Sequence, residues 1–156
     1  MDRGDGGAMR EWTREKRLRT RSEAGTLALG DLMTELLLAP KLVVLRGELG
    51  MGKTTLVRGM AAALGASADE VTSPTFTLVH EYAGKKTRLV HLDLYRLENE
   101  SDLEGIGLWE LAELPDALVM VEWGDRFASV MERADAEISM TQGEVENERL
   151  LHVRWR

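Results

Sequence analysis

Apolar residues recur at three- and four-residue spacing between positions 22 and 39, where Leu29, Leu32, Met33 and Leu36 share one side of a predicted helix. Ser22 is placed to cap its start and Pro40 to stop it. The next stretch, KLVVLR at 41–46, does not alternate. Its continuous apolar centre, between a proline and a glycine, predicts a short strand buried on both faces. Helical spacing returns over 53–64, with Leu56, Val57, Met60 and Leu64 on one side and Gly65 at the end. Residues 77–82 and 87–92 alternate or run apolar around AGKK, which predicts a hairpin or two neighbouring strands. In SDLEGIGLWELAE, breaks at Gly105 and Gly107 predict a loop followed by one short helix. After Pro115 the pattern predicts a second central buried strand at ALVMVEW, a short helix over 126–133, and terminal strands at AEISMT and RLLHVRW.

The opening MDRGDGGAMREWTREKRLRTR is rich in charge and glycine and has little apolar periodicity. It predicts a flexible extension over residues 1–17, partly helical over REWTREKR, ahead of one folded domain over 18–156. A length of 156 residues suits one domain, and 44% hydrophobic content is enough for one core. Aromatics make up only 5%, so that core must be built from Leu, Val, Ala and Met, which suits helices packed on a buried sheet.

The formal charge of -7 argues against broad attraction to nucleic acid and leaves room only for a local basic patch. The absence of cysteine excludes a disulfide framework, a thiol nucleophile and a cysteine-ligated zinc site. Together with the lack of an apolar secretory segment, this gives the expectation of a cytoplasmic protein. Runs such as LLLAP are too short to span a bilayer, so no membrane role is expected.

Candidate chemistry centres on GELGMGKTT at 47–55. Gly47-x-x-x-x-Gly52-Lys53-Thr54 has the spacing of a phosphate-binding loop, with an apolar strand before it and a helix after it. The segment Gly47, Glu48, Leu49, Gly50, Met51 and Gly52 can turn tightly and bring backbone N–H groups to phosphate oxygens. The helix that follows adds its own unpaired N–H groups and the positive end of its dipole. Lys53 is expected to reach the β and γ phosphates and the Thr54 hydroxyl to bind Mg²⁺. Thr55 supports the α phosphate or the helix start. Because the net charge would repel a nucleoside triphosphate, affinity must come from this local field and from Mg²⁺. The fold class expected is α/β, a P-loop NTPase-like mixed, mainly parallel sheet flanked by helices.

Two apolar strands end in acids, Asp93 in LVHLD and Glu122 in LVMVE, at the sheet edge where ligands of open α/β folds bind. Asp93 reads as a metal-shell acid or as a loop-start cap. Glu122 reads as a magnesium ligand, a water-positioning group or half of a structural ion pair, since an acid ending a buried strand is costly alone. Within the proline-stiffened segment 72–76, Thr75 reads as a switch-like residue that senses the γ phosphate or orients water, or as part of an ordinary turn, and Phe76 as core. His80, His91 and His152 are not grouped as zinc ligands and are expected to pack or hydrogen-bond. Trp109 and Trp123 are candidates for the core or for a nucleotide or partner surface.

GELGMGKTT, SPTFTLVHEY, HLDLYRL, LEGIGLWE and VEWGDR follow one another in an order that resembles the bacterial TsaE family, over about residues 18–155. The phosphate loop alone would name a very large class; SPTF followed by HLDLYRL and EW is far more specific. The resemblance implies a small ATPase using ATP/ADP and Mg²⁺, docking on TsaD and TsaB and meeting tRNA indirectly, in support of threonylcarbamoyladenosine formation beside the anticodon. TsaD would carry the transfer chemistry. The same resemblance implies Lys53 and Thr54 on phosphate and Mg²⁺, Thr75 in the switch-like loop, Asp93 and Glu122 serving metal and water, and Trp123 close to the nucleotide. A small-metabolite or nucleoside kinase and a nucleotide-gated interaction module are the alternatives.

Overall fold

The computed structural model describes residues 11–66 and 79–156. In chain order they form β1 (Arg14–Thr20), α1 (Glu23–Leu36), β2 (Lys41–Arg46), α2 (Lys53–Ala63), β3 (Val79–Ala83), β4 (Arg88–Asp93), α3 (Glu100–Gly105), α4 (Leu108–Glu113), β5 (Ala117–Glu122), a 3₁₀ turn (Gly124–Arg126), α5 (Ala128–Arg133), β6 (Ala136–Gln142) and β7 (Arg149–Trp155). Among the described residues these strands make one sheet in the order β1-β7-β6-β2-β5-β4-β3. The four central strands, β6-β2-β5-β4, are parallel. Both flanks are antiparallel, β3 on β4 at one side and β7 with β1 at the other. The sheet is therefore mixed, as expected, with its parallel pairings confined to the centre.

A parallel centre must be covered on both faces, and β2 and β5 carry the sequence for it. Val43, Leu45, Leu118 and Met120 pack on one side with Met33 and Leu37 and with Leu56, Val57 and Met60 of α2. Leu42, Val44, Val119 and Val121 pack on the other with Leu103, Leu108, Val130 and Met131 from α3, α4 and α5. Ser22 caps α1 as predicted, its hydroxyl accepting from Gly25 N at 3.0 Å. Two glycines let α1 and α2 meet backbone to backbone. A Cβ on Gly30 would lie 2.1 Å from the Gly59 carbonyl carbon, and one on Gly59 would lie 2.1 Å from the Leu27 carbonyl oxygen.

Two expectations need correction. The described part of REWTREKR, from Glu11, is not helical, because residues from Arg14 onward enter β1 and pair with β7 from Arg14↔Trp155 to Thr20↔Arg149. An edge strand tolerates, and is protected by, outward charges, so the absence of an apolar pattern hid a strand. SDLEGIGLWELAE holds two helices rather than a loop and one helix. Asn99 and Asp102 form a reciprocal capping box that starts α3 ahead of the Gly105 break, while Gly107, at φ 74°, opens α4. The predicted hairpin around AGKK is present as β3 and β4.

Candidate functional site

The junction of β2 and α2 is built around residues with left-handed backbone. Gly50 (φ 86°) and Gly52 (φ 96°) occupy a region that L side chains rarely adopt. Gly52 is the N-cap of α2 and has no side chain to cap it, so the first-turn N–H groups stay available to an anion. Leu49 is almost fully exposed at the tip of the loop. Arg149, from β7, steadies the loop from behind by donating through Nη2 to Gly50 O at 3.3 Å. Thr54 and Thr55 lie half-buried on the first turn of α2.

Lys53 turns inward. Its Nζ donates to Gly47 O at 2.5 Å and lies 3.1 Å from Glu122 Oε1. Glu122 ends β5 and is 6% exposed. Its other oxygen, Oε2, is 2.6 Å from Nε2 of fully buried His91 on β4. Burial pushes the Glu122 carboxyl up, yet the hydrogen bond from His91 and the charge of Lys53 outweigh it and hold the group below the usual carboxylate range. The site therefore keeps an ionised acid, in contact with an ammonium group, at the carboxyl edge of the sheet. Asp93 stands directly opposite Glu122 in the β4–β5 register. Its Oδ1 accepts from Tyr95 N at 2.8 Å, which is the loop-start geometry.

Trp123, immediately after Glu122, is the one non-glycine residue with positive φ (65°) among the described residues. Such backbone costs on the order of 1–3 kcal/mol and persists only where the surroundings enforce it. Here the following Gly124 is pressed among Val130, Val121 and Val44, where a Cβ would meet side-chain carbons at 3.0–3.3 Å. The Trp123 ring lies 5.1 Å from that of Tyr95. Arg126 ties the two loops together by donating to Tyr95 O at 2.6 Å and Leu97 O at 3.2 Å. A cleft of about 590 Å³ opens beside Lys53, lined by Arg46, Gly47, Trp123, Asp125 and Gln142 among others. That size accommodates a nucleotide-sized ligand.

The structure thus brings Lys53, Glu122 and Asp93 to one sheet edge beside the glycine loop, with Trp123 at the rim of the cleft. Thr75 and Phe76 lie outside the described residues. His91 hydrogen-bonds, as expected of the histidines, but its acid partner was missed. No local signal pointed to it, since His91 and Glu122 are 31 positions apart and meet only through the pairing of β4 with β5. Arg46 and Asp125, 3.5 Å apart at the cleft wall, carried no sequence signal beyond their charge. Among the described residues no group of three or more His, Asp or Glu side chains is placed to hold a metal ion. None of the described helices is long and apolar enough to cross a membrane.

The chain is similar to several named proteins. The chain is 44% identical over 104 residues to the tRNA threonylcarbamoyladenosine biosynthesis protein TsaE of Nostoc, a match covering 65% of this chain and 63% of that one. It is 40% identical over 121 residues to the protein of the same name from Treponema pallidum, covering 78% and 87%. Among solved structures, the crystal structure of Bacillus subtilis YdiB superposes with a TM-score of 0.66 at 26% identity, over 91% of this chain and 86% of that one. The family model described as threonylcarbamoyl adenosine biosynthesis protein TsaE matches residues 20–151, and with these relatives it shows that the chain belongs to the TsaE family.

Proposed function

We propose that this protein is a Mg²⁺-dependent ATPase that docks on TsaD and TsaB and supports threonylcarbamoyladenosine formation on tRNA. The observation that carries the reading is the Lys53 ammonium held between Gly47 O and Glu122 at the uncapped start of α2. A triphosphate tail entering that loop offers the ammonium a denser negative charge than one carboxylate does. Lys53 then exchanges Glu122 for the β and γ phosphates, while the amides of the glycine loop and the first turn of α2 take the remaining phosphate oxygens.

Mg²⁺ suits the residues present. This ion keeps several waters and is commonly held by one or two carboxylates together with substrate phosphates, and Asp93 and Glu122 stand opposite each other at the strand ends beside the loop. Thr54 with Asp93 or Glu122 would hold it, and bound there it would neutralise charge developing on the phosphates. Glu122, ionised and released from Lys53, accepts a hydrogen bond from a water molecule and orients it toward the γ phosphate. Thr75 is assigned to the switch-like segment of the same reaction. The relatives from Nostoc and Treponema pallidum, both named for tRNA threonylcarbamoyladenosine biosynthesis, support a place in that process. TsaD carries the transfer, and ATP turnover here sustains repeated rounds.

Lys53→Ala is expected to weaken ATP binding by about two orders of magnitude, as truncating one side of a desolvated charge pair commonly costs 2–5 kcal/mol. Calorimetric titration checks it, and unchanged affinity removes Lys53 from the phosphate site. Mixing the protein with TsaD and TsaB should give a complex and raise the number of tRNA modification rounds. No association and no change in modification would reject the proposal.

A further inference from the structure

His91 is fully buried in the middle of β4 and shares a strand face with Leu89 and Asp93. Its neighbours on that strand are apolar, and an imidazole there is costly unless its polar atoms are met. Only one of them is. Nε2 contacts Glu122 Oε2 at 2.6 Å, whereas Nδ1 is buried with no hydrogen-bond partner among the described residues. A ring retained for packing alone would be replaced without loss by leucine, and a ring retained for stability through polar contacts would meet both nitrogens. Among the described residues the ring's one polar contact is with Glu122.

That bond also defines the ring's orientation. With no hydrogen-bond partner for Nδ1 among the described residues and a carboxylate at Nε2, the Nε2 proton is the one that serves the contact. The two partners of Glu122 take one oxygen each, His91 on Oε2 and Lys53 on Oε1. They differ in mobility. Lysine swings on a four-carbon stem, while a histidine packed inside a central strand has two torsions and no room.

We propose that His91 is a positioning residue for ATP hydrolysis, clamping Oε2 of Glu122 so that Oε1 alone changes partner when Lys53 turns to the phosphate. The inference rests on the ATPase reading above. His91 touches no phosphate and acts only through Glu122: it keeps the freed oxygen pointed at the loop instead of letting the carboxylate rotate away.

The test compares His91→Leu and His91→Gln in the full-length protein, with ATP affinity from titration and the hydrolytic step from single turnover at saturating Mg²⁺-ATP. His91→Leu should slow the step by about ten- to a hundredfold, the usual scale for removing a partner that orients a site ligand, with ATP affinity near wild type. His91→Gln, whose amide nitrogen can donate to the same oxygen, should recover most of the rate. In a Glu122→Ala background His91→Leu should have no further effect on the step. An unchanged rate in His91→Leu, equal loss in both variants, or the same slowing without Glu122 would overturn the proposal.

A measurement on the wild-type protein guards against variants that do not fold. The ¹⁵N spectrum of the His91 ring should show a protonated, hydrogen-bonded Nε2 both without nucleotide and with a non-hydrolysable ATP analogue, and loss of that signature on loading would overturn the clamp. A wild-type protein that binds no ATP would instead sink the ATPase reading itself, so the two failures are distinct.

Discussion

Two buried glutamates flank the strand that feeds the phosphate loop: Glu122 on β5 and Glu137 on β6. Glu137 has no exposed surface, and its carboxylate takes Arg46 Nη1 at 3.2 Å on one oxygen and Arg154 Nη2 on the other. Both arginines grow from strands of the same sheet, β2 and β7, so the charges that compensate Glu137 are part of the frame. Glu122 has equal burial need but a different cation. Lys53 belongs to the start of α2, and its ammonium is also the group that an incoming phosphate would claim. The comparison separates an acid neutralised permanently from one neutralised only until a ligand arrives. Burial and charge alone do not make the distinction; the element that carries the counter-ion does.

The largest effect is expected on hydrolysis. Glu122→Ala should reduce partner-stimulated ATP turnover by about 10²- to 10⁴-fold, the range for losing a positioned proton acceptor, while thermal unfolding shifts much less. Normal turnover in the folded variant would erase the contrast with Glu137. The converse change, Glu137→Ala, should cost about 3 kcal/mol of stability in urea unfolding, near the lower end for a broken buried pair because both arginines still reach water. Its folded fraction should bind ATP with affinity near that of the wild type, because Asp125 still holds Arg46 at the cleft wall. Arg154→Leu sharpens the point, since Arg46 remains on Glu137, and a loss of about 1 kcal/mol is expected by the same unfolding measurement.

The smallest effect belongs to a third acid, Glu15, which pairs with His152 at 3.0 Å on the solvent side of the β1–β7 ladder. The hydrogen bond from His152 holds its carboxyl below the ordinary value of 4.5. A lowered acid adds stability in full above that ordinary value and loses it as the pH falls through the lowered one. Glu15→Gln should therefore lower the melting temperature slightly in the neutral range and abolish the slight acid-side slope below about pH 4.5, the two proteins converging as the pH falls. Differential scanning calorimetry across that range checks it.

The sheet's centre was legible because KLVVLR and ALVMVE can be only strands covered on both sides, and the caps at Ser22 and Gly65 bounded the helices packed on them. The glycine–lysine loop was equally plain, since its spacing and its strand–helix context coincide. What stayed hidden depends on partners distant in sequence. β1 is a strand because β7, more than a hundred residues on, offers it a ladder, and its charged residues give no local sign of that. His91 and Glu122 are 31 positions apart and meet through the β4–β5 register, which no periodicity encodes. Arg46, Arg154 and Glu137 likewise join three strands that become neighbours only in the finished sheet.

The close approach at Gly30 and Gly59 has a mechanical consequence. α1 and α2 both begin at a small cavity shared by Ser22, Glu23, Gly52 and Thr55, and they touch about two turns further along. With no side chain between them there is no cushion to absorb sliding, so the pair behaves as a single stiff spar. A methyl group at either glycine would have to force the two helices apart, away from the loop beside which both begin.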